Sequence, residues 1–349
     1  MHSLALKNNY TSIYLLLFVF FINACSTTSS SPEINELGYA ESEYPVSIFP
    51  GQITNLSEAQ IASQIHETLF QINAATQELE PCIVDKWVIS KDNSQYVLYL
   101  RDSVFFHKNE IFGNLMTRKL VAIDVIESLK QYIWSCKIQN KPLGFLSDIN
   151  GVQDFYNSCS EQKMASDSIE GIRSRSDLIV RIDLDNSSSM FLHGLANIDL
   201  AIMPHEALKE FGSKNLIGCG KYSIQKTDMT KDAWILNANP LYSIGKETSP
   251  YFGRIKIYFN LSLDRELQLF NEGTLCFVHN IAQEHVNRFM EQNVDRFQKT
   301  NPDFVIAQHS GHEKTDLFFM HKSSLAGFDF NTFGIIDFSL LSIKKPVNI

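Results

Sequence analysis

Apolar positions along this chain fall into one dense block and a series of periodic runs. The block is Ile13 to Ile22 (IYLLLFVFFI), and after it the spacing changes character. Ile61, Ile65 and Leu69 recur at four-residue intervals, one face of a helix, and Ser57-x-x-Gln60 just ahead of them reads as a capping box. Trp87 and Ile89 alternate with polar neighbours, Lys91-Asp92-Asn93-Ser94 makes a turn, and Val97 to Leu100 resumes the extended pattern. That order predicts a hairpin. Val121, Val125, Leu129 and Ile133 line one face of a helix of about 14 residues. Strands are expected over Leu178–Leu184 and Arg254–Phe259, the second with Ile255, Ile257 and Phe259 on one face. Asp264 to Asn271 reads as a short helix closed by Gly273. No repeat of fixed period is visible. Helices and strands in irregular order predict an α+β, mixed α/β fold.

The dense block points to the compartment. Its length falls short of the roughly 20 residues needed to cross a hydrocarbon core, and matches a signal-peptide core of about 7–15. Lys7 precedes it and Ala24-Cys25 follows. Residues 1–24 are therefore expected to be a lipoprotein signal peptide, with Cys25 the site of lipid attachment to the membrane. Ile22 and Asn23 stand where Leu and a small residue are usual, and an ordinary secretory signal with a chance cysteine is the alternative. Ser26 to Pro32 (STTSSSP) is too poor in apolar residues to pack, so 25–32 is expected to be a polar tether.

Roughly 320 residues remain from Glu33 onward, enough for two lobes at about 100–200 residues per domain. A hydrophobic content of 44% is that of a globular chain. The formal charge of −9, with no basic run, excludes nucleic acid as a partner. Besides Cys25 there are Cys82, Cys136, Cys159, Cys219 and Cys276. An oxidising envelope permits disulfides, and Cys136 with Cys159 is the nearest pair; their spacing leaves open a bridge or two buried thiols.

Little in the chain points to catalysis. Gly218-x-Gly220-Lys221 lacks the glycine spacing and the following Ser or Thr of a phosphate loop. His309, His312, Glu313 and His321 have no HExxH or cysteine pair beside them and read as exposed loop residues. His66-Glu67 is expected on a solvated helix face. No G-x-S-x-G elbow is present, and Ser187-Ser188-Ser189 before Met190-Phe191-Leu192 reads as a loop that starts a helix. No catalytic residue, metal ligand or cofactor is assigned, and an envelope hydrolase is the rival class set aside.

A familiar order of motifs runs from Ser57 to about residue 275. Ser63-Gln64-Ile65-His66-Glu67-Thr68-Leu69-Phe70 leads to Leu79-Glu80-Pro81 and Trp87, then to Leu100-Arg101-Asp102-Ser103-Val104-Phe105-Phe106-His107. Leu120 to Val125, Ile172 to Leu184, Met203-Pro204-His205-Glu206-Ala207, Gly218-Cys219-Gly220-Lys221-Tyr222 and Asn237 to Tyr242 follow in order. Arg254 to Ile257, with Leu269 to Gly273, completes the series. Together they resemble the bacterial extracellular solute-binding proteins of family 5, the oligopeptide-, dipeptide- and nickel-binding components of ABC importers. Val121 stands where the family has a helix-capping Thr, and Cys219 and Lys221 replace Thr and Pro in the glycine turn, where Gly218 and Gly220 are expected to supply backbone freedom.

The resemblance implies a periplasmic-binding-protein fold of type II, incomplete here, with N-terminal lobe segments present and most of the C-terminal lobe missing. The family domain is expected over 33–315, with 316–349 a divergent or truncated end. It implies non-covalent binding of extended peptides, held by backbone hydrogen bonds as an added strand would be, with delivery to ABC permease subunits. Gln52, Thr54 and Asn55, and Gly218, Cys219, Gly220 and Tyr222, occupy family positions at the cleft edge or interlobe crossing and are the ligand-binding candidates. A half-cleft implies weak peptide binding, and exposed Phe318, Phe319, Phe328 and Phe330 that favour self-association. The alternatives are a decayed, non-transporting copy and a protein-interaction module of the cell envelope.

Overall fold

The protein is described by a computed structural model that covers residues 36–73, 76–244, 250 and 252–278. It also covers single positions 285, 288 and 291 and the backbone of strands at 304–310, 315–321 and 342–343. The expected signal peptide, Cys25 and the tether lie outside the described residues.

The chain opens with β1 (Glu36–Glu41), α1 (Leu56–Ile65), β2 (Phe70–Ile72), β3 (Leu79–Pro81), β4 (Val84–Ile89) and β5 (Gln95–Leu100). Then come α2 (Ala122–Gln139), α3 (Val152–Ser158), β6 (Ile172–Ser176), β7 (Ile179–Asp183), α4 (Phe191–Gly194) and α5 (His205–Phe211). The last stretch holds β8 (Tyr222–Ser223), β9 (Ala233–Ala238), β10 (Arg254–Phe259), α6 (Leu263–Asn271), β11 (Phe277–Val278), β12 (Phe304–Ser310), β13 (Thr315–His321) and β14 (Ser342–Ile343).

Two large cores organise most of these elements, and a third, smaller cluster surrounds Phe270 of α6. In the first, the sheet β1-β10-β9-β8 joins the start of the described chain to a segment some 200 residues later, with β1 parallel to β10. Ile61 and Ile65 of α1 pack with Tyr39, Trp234, Ile255 and Ile257 of that sheet. In the second, the antiparallel sheet β4-β5-β7-β6 is covered by α2, whose Val125, Leu129 and Ile133 share a core with Leu98, Val180 and Ile182. A third sheet, β11-β13-β12-β14, is antiparallel throughout.

The alternating and helical patterns produce most of the expected elements. The β4–β5 hairpin forms around Asn93, whose φ of 55° is the left-handed value an Asn tolerates in a turn. Helix α6 is followed by Gly273 at φ 78°. Helix α2 runs past Ile133 to Gln139, because Cys136 continues the buried stripe, and Asn140 ends it in the left-handed region. Val121 caps α2 without a side-chain acceptor, and the Asp124 carboxylate accepts its N–H at 2.9 Å instead.

Several expectations are corrected. The cap of α1 is Asn55, whose Oδ1 accepts the Glu58 N–H at 2.9 Å, while Ser57 lies in the first turn and donates to the Glu41 carboxylate. The helix stops at Ile65; His66 is extended, and Leu69 is buried in the second core rather than on the helix face. His66 is fully buried, not solvated. For Cys136 and Cys159 nothing is overturned: of the two readings left open, separate buried thiols is the one found. His309 and His321 belong to β12 and β13 rather than a loop, whereas His312 and Glu313 lie outside the described residues. The side chains of Phe318 and Phe319, and all of Phe328 and Phe330, are outside the description.

Candidate functional site

Between β1 and α1 the chain has no regular structure from Glu43 to Asn55, and one buried carboxylate holds it in shape. Glu58 Oε1 accepts the N–H groups of Val46 (2.8 Å) and Ser47 (3.1 Å), and Oε2 accepts Thr54 N–H (2.8 Å) and Thr54 Oγ1–H (2.9 Å). Burial alone would raise the Glu58 pKa, but these four donors outweigh it and hold the carboxyl below its ordinary range. Farther along the loop, Gly51 donates to Asp199 Oδ1 at 2.9 Å and its carbonyl accepts from Gln139 Nε2 at 2.6 Å. Its φ of 86° lies in the region that favours glycine.

Pinned in this way, the loop exposes a short apolar and polar face. Thr54 and Leu56 are exposed, Leu56 at 70%, and Val46 at 90%; Gln52 and Asn55 are half-buried. Leu56 and Val46 escape sequence reasoning, because a lone apolar residue gives no sign of facing outward. Exchanging Glu58 for Gln replaces one acceptor oxygen with an NH2 group facing N–H donors. The expected result is a loss of about 2–3 kcal/mol, with hydrogen-exchange protection lost first at Val46, Ser47 and Thr54. Unchanged protection at those amides would show that the loop is held by other contacts.

The second group of sequence candidates lies at the seam between the two cores. Gly218, Cys219, Gly220 and Tyr222 are all buried. Gly220 N–H donates to Ile65 O at 2.9 Å, His107 N–H donates to Gly218 O at 2.8 Å, and Ile202 N–H donates to Glu67 O at 2.9 Å. A Cβ on Gly218 would stand 2.0 Å from Ile65 O, and one on Gly220 2.6 Å from Gln64 O. Neither glycine has a positive φ, so the turn needs them for close approach and not for backbone freedom. The structure thus separates the sequence candidates into an accessible set, Gln52 to Asn55, and a buried set inside the seam.

The seam also holds polar groups with unusual titration. His107 Nε2 lies 3.0 Å from Gly220 O and Nδ1 accepts Gly218 N–H at 3.3 Å, which fixes a neutral tautomer. Neither ring nitrogen of the buried His66 has a partner among the described residues. Burial, with His107 nearby, pulls His66 down to about 3, and burial pulls His107 down to about 4. Burial likewise pushes the Cys82 and Cys219 thiols well up, with Cys82 Sγ donating to Glu67 Oε2 at 3.1 Å, so both are unreactive.

A further cluster joins α2 to α5. Ligand atoms of Asp124, His205 and Glu206 lie within 4.8 Å of one another, a spacing that suits a divalent cation. Arg118 already takes that place. Its guanidinium donates to both oxygens of the buried Asp124 at 2.7 and 2.6 Å and to Glu206 Oε1 at 2.6 Å, and also contacts Glu206 Oε2. Burial opposes the Arg118 charge, but the Glu206 and Asp124 bonds outweigh it and hold the group protonated beyond its usual range. The cluster reads as an ion-pair lock between helices.

Comparison with known proteins matches residues 78–316 to the family described as bacterial extracellular solute-binding proteins, family 5 Middle. Curated relatives include a heme-binding protein A of Haemophilus influenzae, 23% identical over 50% of this chain and 30% of its own. Another is a dipeptide-binding protein of Escherichia coli, 24% identical over 57% of this chain and 37% of its own. Among solved structures, the substrate-binding domain of an oligopeptide ABC transporter from Bacillus anthracis superposes with a TM-score of 0.60 at 14% identity. The match covers 80% of this chain and 51% of that one. A Helicobacter pylori periplasmic binding protein DppA, in complex with a peptide, gives 0.59 at 18% identity, over 79% and 51%. The fold is therefore that of the type II periplasmic binding proteins, and the chain spans about half the length of these structures and about a third of the curated relatives.

Proposed function

Because the chain belongs to the bacterial extracellular solute-binding proteins of family 5, we propose that it is an extracytoplasmic, non-enzymatic peptide-binding component of an ABC importer. The proposal extends to its ends: residues 1–24 are removed as a signal peptide, Cys25 carries the lipid, and 25–32 tether the body to the membrane. Peptide lies extended along Gln52, Thr54 and Asn55, with Leu56 and Val46 against its apolar side chains, and is handed to permease subunits. Gly218, Cys219, Gly220 and Tyr222 serve this site as the packed seam behind α1, the helix that carries the face. The observation that supports this reading most is the Glu58 clasp, which holds an otherwise irregular loop in one shape with its outer side open. A binding loop ordered before its ligand arrives loses less entropy on binding.

The proposed face is a single wall, open on its outer side, so much of a peptide lying on it stays hydrated and its charges contribute little. Isothermal titration of the chain with tri- to pentapeptides is expected to give dissociation constants of about 0.1–1 mM, near −4 to −5.5 kcal/mol. Absence of any saturable heat at millimolar peptide would remove the peptide reading, and low-micromolar binding would remove the one-wall account. Metabolic labelling with a fatty acid, expected to disappear in Cys25→Ser, tests the anchor; label retained by that variant places the lipid elsewhere.

A further inference from the structure

A cavity of about 280 Å3 lies beside the pinned loop, between Tyr44–Phe49 and the segment Ser213–Leu216. Its volume is just under the usual span for ligand pockets, about 300–1,000 Å3, which suits one residue better than a whole peptide. Aromatic packing stiffens the wall. Trp234 Nε1 donates to Tyr44 Oη at 3.2 Å, the two rings meet edge-on at 5.6 Å, and Phe259 packs against both. Met229 and Leu216 add apolar surface.

The charges at this cavity are of one sign. Lys214 and Lys226 line it and are exposed, and no Asp or Glu is among its lining residues, in a chain whose net charge is −9. Neither ammonium takes part in an ion pair among the described residues. The nearby Asp228 is engaged by Asn237 Nδ2 at 3.3 Å. An apolar, aromatic-walled hollow under two exposed cations is complementary to a group that is apolar at one end and anionic at the other.

We propose that this cavity seats the apolar side chain of a ligand's C-terminal residue while Lys214 and Lys226 hold its free α-carboxylate. The inference rests on the peptide-binding reading above and adds polarity to it. The ligand's C-terminus lies at Tyr44–Phe49, and the preceding residues run toward Thr54, which the Glu58 clasp brings beside Val46 and Ser47. Exposed cations contribute modestly, so a preference for the acid over the amide of about 5–10-fold is expected, shrinking in high salt.

Trp234 lines the cavity and provides the readout. The whole chain, labelled with 5-fluorotryptophan, is titrated with N-acetyl-phenylalanine and with N-acetyl-phenylalaninamide. The Trp234 fluorine signal is identified with Trp234→Phe. The expected result is a shift of that signal by both probes, tighter for the acid, with the preference reduced to near unity in the Lys214→Gln, Lys226→Gln variant. No shift of the Trp234 signal by either probe, equal affinity for acid and amide, or a preference that survives in the double variant each overturns the proposal. Because single amino-acid probes are used, the outcome is independent of the peptide titration. Binding here without any peptide binding sinks only the peptide reading, and peptide binding without a Trp234 response sinks only the cavity.

Discussion

Gly218→Ala is expected to lower the stability of this protein by about 3–4 kcal/mol, at the upper end for the addition of one methyl group. The new Cβ would meet Ile65 O at 2.0 Å and His66 Nδ1 at 2.7 Å, far inside van der Waals contact. The carbonyl cannot retreat cheaply, because it ends α1 and accepts Gly220 N–H at 2.9 Å. Gly218 cannot retreat either, since its own carbonyl accepts His107 N–H at 2.8 Å and its N–H donates to His107 Nδ1. The new Cβ therefore meets backbone that is held in place, and its relief is to part the seam where the two cores meet. Gly212→Ala is the control. That residue has φ 54° and ψ −131°, a region all but reserved for glycine, and nothing within 4 Å of a built Cβ, so conformational strain alone, about 1–3 kcal/mol, is expected. Urea unfolding of the two variants separates the effects. A Gly218→Ala cost no greater than that of Gly212→Ala would mean that the seam is soft and that glycine there reflects something other than close approach.

How far such contacts can be read from sequence depends on whether they are local. The β4–β5 hairpin, α6 with Gly273, and the buried face of β10 each follow from a period and a turn residue within a few positions. Ile61, Ile65 and Leu69 have equally good spacing, yet the chain turns extended at His66 and delivers Leu69 to a different core. Spacing says that residues are buried; it does not say in which core. The cap of α1 lies two residues before the one the pattern marks, for a related reason. Ser57-x-x-Gln60 fits the capping pattern, but Glu58 is needed inward to hold Val46, Ser47 and Thr54, and Asn55 then takes the cap. A long-range demand on one carboxylate decided a local choice. The candidates Gln52 to Asn55 and Gly218 to Tyr222 came from family order, which located both segments but could not distinguish an exposed loop from a packed seam. Lys214, Lys226 and Trp234 carried no signal at all, since only the return of β9 beside Tyr44 brings them together.

Lowering the pH from 7.5 to 5 is expected to reduce stability by about 4 kcal/mol through His66 and His107 together. In the unfolded chain both imidazoles take up protons as the pH falls through about 6.5. In the folded protein burial, assisted for His66 by its neighbour, delays this to about 3 for His66 and about 4 for His107. The unfolded state thus binds more protons over the whole window. The stability associated with the neutral rings is complete above about pH 7.5 and falls by about 1.4 kcal/mol per ring for each pH unit below 6.5. Glu58 and Glu206, whose pKa values are held low, add to the loss only below the ordinary carboxylate range near pH 4.3. Asp199, whose carboxyl burial raises, works in the opposite sense and trims the loss. Unfolding in urea at a series of pH values measures the slope, and His66→Leu is expected to halve it to about 2 kcal/mol over the same interval. Stability unchanged down to pH 5, or an undiminished slope in His66→Leu, would show that water or a backbone shift solvates His66 and that the ring is not isolated. The position of this pair gives the titration its functional reach. His66 caps the C-terminal end of α1, and the other end of the same helix carries Asn55, Leu56 and Glu58, the residues that shape the proposed ligand face. Because the folded rings stay neutral until about pH 4, acid reaches the face only by unfolding α1 together with the seam, so ligand release and acid unfolding are expected to share one midpoint.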